Sequence, residues 1–137
     1  MPNPLSLLFC GAMLTTAGIA HAAADRTPEA QLARATEGRV AGQPVDCLNL
    51  RDIRSTRIIN RTAIIYDTGG GKIYVNTPKS GASSLRDGDI LLTDTHSPQL
   101  CSIDIVRLYD NSAKMQTGSV GLGQFVPYTK ADRRATE

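Results

Sequence analysis

The sequence predicts an all-β domain with a minor helical part, a small antiparallel barrel or two-layer sandwich of about six short strands. Short runs rich in β-branched residues recur through the chain, and turn signals separate them roughly every 8–12 residues. The length of 137 residues allows one domain with one modest core. Pattern alone leaves barrel and sandwich both open.

Met1–Ala24 reads as a secretory signal peptide. Leu5–Leu14 is apolar apart from Ser6, and small residues follow. Ala20-His21-Ala22 and Ala22-Ala23-Ala24 are overlapping small-x-small cleavage sites, so cleavage after either Ala22 or Ala24 fits. No Lys or Arg precedes Leu5, which leaves the amino terminus as the positive end. The stretch is too short and too rich in Gly and Thr for a membrane span of about 20 apolar residues. The expectation is an exported chain, periplasmic or secreted, with no transmembrane anchor after cleavage.

Residues 25–44 form a polar lead-in. Thr27-Pro28-Glu29 supplies an N-cap, a first-turn proline and a first-turn acid, which predicts a short helix from Pro28 to about Glu37 that stops at Gly38. The β-rich domain is expected over residues 45–128, with 129–137 as a tail whose start, Thr129–Asp132, could form a helical turn. Arg57-Ile58-Ile59 and Thr62–Asp67 flank Asn60-Arg61, a tight-turn candidate. Thr68-Gly69-Gly70-Gly71 separates Thr62–Asp67 from Lys72–Thr77 and is the clearest hairpin signal. In Lys72–Thr77 the alternation of Ile73 and Val75 with Lys72, Tyr74 and Asn76 predicts one buried face. Leu85 is the apolar pin of the Ser/Gly-rich loop Pro78–Asp89. Ile90–Thr93, Leu100–Tyr109 and Val120–Tyr128 complete the strands, with turns at His96-Ser97-Pro98 and Asp110-Asn111-Ser112.

Loss of the signal removes Cys10 and leaves Cys47 and Cys101. In an oxidising compartment such a pair reads as one disulfide, with two buried thiols as the alternative. It would close a loop of about 55 residues, worth roughly 4 kcal/mol in the chain-entropy model. The pair lacks the Cys-x-x-Cys spacing of a redox motif.

Composition narrows the function classes. Fifteen basic against thirteen acidic residues give +2, with the signs interleaved rather than blocked. There is no Trp, and Phe125 is the one Phe after the signal, so neither a nucleic-acid surface nor a base-stacking platform is expected. Asp67–Lys72 carries glycines before a lysine, but Ile73 follows where a phosphate loop needs Ser or Thr and a helix. His96 in Asp94-Thr95-His96-Ser97-Pro98 is the one histidine after the signal, and neighbours in an extended turn point apart, so no preformed triad is present. Zinc spacing is missing, and Asp87-Gly88-Asp89 with Asp94 lacks the calcium-loop pattern. No cofactor or metal is expected. Arg51, Arg54, Arg57 and Arg61, at spacings of three, three and four, would share one side of a helix as an anion-binding stripe, although Ile58-Ile59 reads as strand.

The segments Pro44–Cys47, Asn49–Ile59, Ile64-Ile65-Tyr66, Tyr74-Val75-Asn76, Leu100–Asp104 and Leu122–Tyr128 together resemble a group of small exported proteobacterial proteins of unknown function. The resemblance implies a signal peptide, a β-rich domain and cysteines at positions 47 and 101. Relatives often carry two further cysteines, one in the loop Lys79–Ser84 and one near Ser119; this chain has neither. The family supplies no catalytic residues. The expectation is therefore a non-catalytic domain that binds an envelope partner or an anionic ligand, or has a structural role. A small hydrolase-like enzyme using Asp94 and His96, and an anion-binding module using Arg51, Arg54 and Arg57, are the alternatives.

Overall fold

A computed structural model describes residues 26–132. The signal segment Met1–Ala24 lies outside the described residues, as do residues 133–137. Helix α1 spans Pro28–Thr36, with the Thr27 side chain accepting from the Ala30 amide at 3.2 Å. This is the N-cap predicted from Thr27-Pro28-Glu29, and the chain turns away through Gly38 (φ 68°).

Ten strands follow among the described residues, more than the sequence announced, because several have only three or four residues. They are β1 (Arg39–Ala41), β2 (Cys47–Asn49), β3 (Ser55–Ile59), β4 (Ala63–Gly69), β5 (Lys72–Asn76), β6 (Ile90–Thr93), β7 (Gln99–Cys101), β8 (Ile105–Asp110), β9 (Met115–Gly121) and β10 (Phe125–Lys130). Every named pairing is antiparallel. One sheet has the order β1-β10-β5-β4-β3; a ribbon, β2-β7, and a second sheet, β6-β8-β9, form the other layer. The sheets stack as a sandwich and none closes into a barrel.

Two clusters lie on opposite faces of the five-stranded sheet. Its inner face contributes Ile58, Ile64, Tyr66 and Phe125, which pack with Leu48 of β2, Leu100 of β7, Val106 and Leu108 of β8, Val120 of β9, and the loop residues Leu85 and Leu122. Its outer face carries Ile59, Ala63, Ile65, Ile73 and Val75, against which α1 lays Leu32 and Ala35. Covering both faces corrects the one-sided reading of Lys72–Thr77: Tyr74 packs against the inner cluster and Asn76 is fully buried.

Local chemistry explains the turns. The β4–β5 hairpin closes on Gly70 (φ 63°) and Gly71 (φ 78°), the left-handed pair that a two-residue turn needs between twisted strands. The β3–β4 turn uses three residues, not two, with Arg61 in the left-handed region (φ 54°) and the Thr62 amide donating to the Ile59 carbonyl.

The long apolar runs are shorter strands. Leu100–Tyr109 breaks at Ser102–Asp104, where the Asp104 carboxylate accepts from the Cys101 amide at 2.6 Å and ends the β7 ladder. Val120–Tyr128 breaks at Leu122–Gln124, where Asn76 accepts from the Gly123 amide at 3.0 Å and donates to its carbonyl at 2.6 Å. A Cβ at position 123 would run into the Thr77 carbonyl, so this approach needs glycine. Thr129 and Lys130 continue β10 rather than starting a helical turn, because β1 pairs alongside them.

Cys47 and Cys101 are directly opposite in the β2–β7 ribbon and form a disulfide. Backbone bonds flank them, from the Ser102 amide to the Asp46 carbonyl and from the Leu50 amide to the Pro98 carbonyl. The cysteines therefore occupy a non-hydrogen-bonded pair, where facing Cα atoms come closest; here they are 4.0 Å apart.

Candidate functional site

Strand alternation places Ser55 and Arg57 of β3 on the outer face of the five-stranded sheet. Asp67 lies opposite Ser55, and Ile65 opposite Arg57, on β4; Ile73 of β5 lies opposite Asp67. Helix α1 covers only part of this face. Beside it remains an open cleft of about 370 Å³, lined by Arg34 and Ala35 of the helix, Arg39 at the start of β1, and Ser55, Arg57, Ile65, Asp67 and Ile73 of the sheet.

Among the described residues, three arginines and one carboxylate line this cleft. Arg39 is fixed by two backbone acceptors: its Nε donates to the Gly71 carbonyl at 3.3 Å and one terminal nitrogen to the Ala35 carbonyl at 3.1 Å. These bonds hold the guanidinium in place and leave further donors for a ligand. Arg57 is exposed, and its side chain makes no hydrogen bond among the described residues. Asp67 spends Oδ1 on the Gly69 amide at 2.7 Å, a contact that shapes the hairpin. The local field is positive, and a planar guanidinium suits a bidentate oxyanion.

The arginine stripe read from the sequence does not persist as one surface. Arg57 lines the cleft, while Arg51 is exposed in the short 3-10 turn Leu50–Asp52. Arg54 packs over the hairpin end, where a Cβ at Gly69 would stand 2.5 Å from its Nε. Helical spacing fails because the chain becomes extended at Ser55. Arg34 and Arg39 replace Arg51 and Arg54 as neighbours of Arg57. Their sequence signal was slight: a last-turn arginine on a helix and a basic residue just beyond Gly38.

Asp94 and His96 are exposed in the turn between β6 and β7 and line no part of this cleft. Thr95 donates to the Ser97 carbonyl at 2.9 Å, which fixes the turn from within. Among the described residues no group of three His, Cys, Asp or Glu side chains could hold a metal ion.

Two titrating groups are shifted away from the cleft. Burial holds the Tyr66 hydroxyl proton well above the usual tyrosine range, and its oxygen finds no hydrogen-bond partner among the described residues. Asp110 is held below the usual carboxylate range by the amides of Ala113 and then Ser112, which its Oδ1 accepts at 3.1 and 2.7 Å.

Among the described residues no helix is long and apolar enough to cross a membrane. No protein-family model matches the chain, and neither a curated protein nor a solved structure matches it.

Proposed function

We propose that this is an exported, non-catalytic binding domain that holds an anionic group in the cleft between α1 and the five-stranded sheet. The observation that carries the reading is the convergence of Arg39 and Arg57, beside Arg34, on one open cleft in which Asp67 is the one acid among the described residues. The disulfide suits an oxidising compartment and supports the exported placement. A carboxylate or phosphate entering the cleft meets the preset Arg39 and the exposed Arg57. The Ser55 hydroxyl offers a neutral donor, and Ile65 and Ile73 form an apolar floor.

Titration of the purified, oxidised protein with a uronic-acid oligomer, and separately with inorganic phosphate, tests this. The amide signals of Ser55, Arg57 and Asp67 should shift and saturate, and Arg57→Ala should weaken binding by about tenfold. Binding should also fall as salt shortens the screening length. Unmoved amides at millimolar concentrations of both probes would remove the proposal, as would binding indifferent to salt.

A further inference from the structure

We propose that the free edge of β6 takes an extended polypeptide segment of alternating apolar residues with basic residues at its ends. Strand β6 lies at the outside of its sheet, and among the described residues it is paired as a strand only with β8. Its outer edge therefore offers unpaired backbone donors and acceptors, the template for strand addition.

The side chains beside that edge are apolar where an unprotected edge is ordinarily polar. Leu91, opposite Leu108, faces the core, so Ile90 and Leu92 face outward, and they are 43% and 38% exposed. On the same outer face Ile105 of β8 is 65% exposed. The other sheet shows the contrast. Its edge strand β3 presents Ser55, Thr56 and Arg57, all exposed, before Ile58 and Ile59 enter the core.

Charge selects the occupant. Asp87 precedes β6 and Asp94 follows it, both exposed, while Asp89 is held toward β9 by accepting from the Thr117 hydroxyl at 2.6 Å. A second copy added across a two-fold axis at Leu91-Leu92 would set Asp94 beside the acids at 87 and 89 of its mate, so self-pairing is disfavoured. A foreign strand with Lys or Arg near both ends meets opposite charge there. The nearby cations do not reverse this. Arg86 is one cation beside the three acids Asp87, Asp89 and Asp94, and a minor part of its field also falls on Asp110. Arg107 sits opposite Leu92 on β8, one strand further from the incoming chain.

The probe is a short synthetic peptide of alternating valine and threonine with lysine at each end, titrated into the purified oxidised protein. The amides of Ile90–Thr93 should shift, and binding should weaken with salt. A peptide ending in glutamates, and one N-methylated throughout, should each bind at least about tenfold more weakly. Leu92→Lys should reduce binding of the lysine-ended peptide to a similar degree. If that variant unfolds, the peptide comparison on the unaltered protein still decides. Equal binding of both charge forms, retained binding after N-methylation, absence of binding, or dimerisation through β6 would each overturn the proposal.

Discussion

The two sheets of this domain obey the same alternation rule and end with opposite outer faces. The five-stranded sheet has its outer aliphatic residues, among them Ile59, Ile65 and Val75, covered by Leu32 and Ala35 of α1, and its uncovered margin is cationic. Among the described residues no such helix covers the three-stranded sheet, and Ile90, Leu92 and Ile105 are in contact with solvent between aspartates. Burial alone does not separate the two, because both sheets supply residues to the shared inner cluster. What separates them is the second layer of cover. A short helix on one side leaves a charged cleft; the other side, uncovered among the described residues, presents an apolar edge.

The largest test of that contrast removes the staple of the thinner layer. Replacing both Cys47 and Cys101 with serine should cost about 4 kcal/mol in denaturant unfolding, as expected for a loop of about 55 residues. Hydrogen exchange should then loosen β2 and β7 first, with the β3–β4–β5 ladder the last to lose protection. Loss of protection in both sheets together would show that they do not differ in this way.

Next in size is the joint between the layers. Asn76→Ala removes both bonds to the Gly123 backbone and leaves a buried amide and carbonyl unsatisfied, so we expect a loss of about 3 kcal/mol. A loss no greater than that of an exposed asparagine, such as Asn111, would show that this backbone crossing is held by other means.

The smallest effect has the opposite sign. Tyr66 stacks edge-on to Phe125 with ring centres 5.6 Å apart, and its hydroxyl is buried without a partner among the described residues. Tyr66→Phe keeps the ring contact and should gain about 1 kcal/mol near neutral pH. Because burial raises the folded-state value, the native protein retains this proton longer than the unfolded chain. Stability is therefore full below the ordinary tyrosine range near pH ~10 and declines as pH rises above it. The phenylalanine variant should lose less stability on that alkaline limb, which thermal unfolding at stepped pH would read directly.

The parts legible in the sequence are those fixed by local chemistry. Thr27-Pro28 starts the helix, Gly70-Gly71 turns the hairpin, and Leu85 anchors its loop at 1% exposure. The parts that escaped depend on distant partners. Arg39-Val40-Ala41 has no strand signature of its own and becomes β1 because β10 pairs with it. Met115–Gly121 is rich in small and polar residues, and it is held as a strand by pairing with β8. The cleft escaped for the same reason. Arg34 and Arg39 are close to one another in sequence, but only sheet pairing brings Arg57 to them.

The pairing of β1 with β10 also sets an order on assembly. β10 lies between β1 and β5, so the first strand of the sheet can be seated only after the last has been made. Contacts of this span are slow to form, because a long stretch of chain must close before they contribute. The hairpin β4–β5 can form early from near neighbours. The arginine cleft instead needs Arg39 in place, and Arg39 waits for Phe125–Lys130. A chain cut short before Phe125 would thus have the hairpin in reach and the cleft out of it.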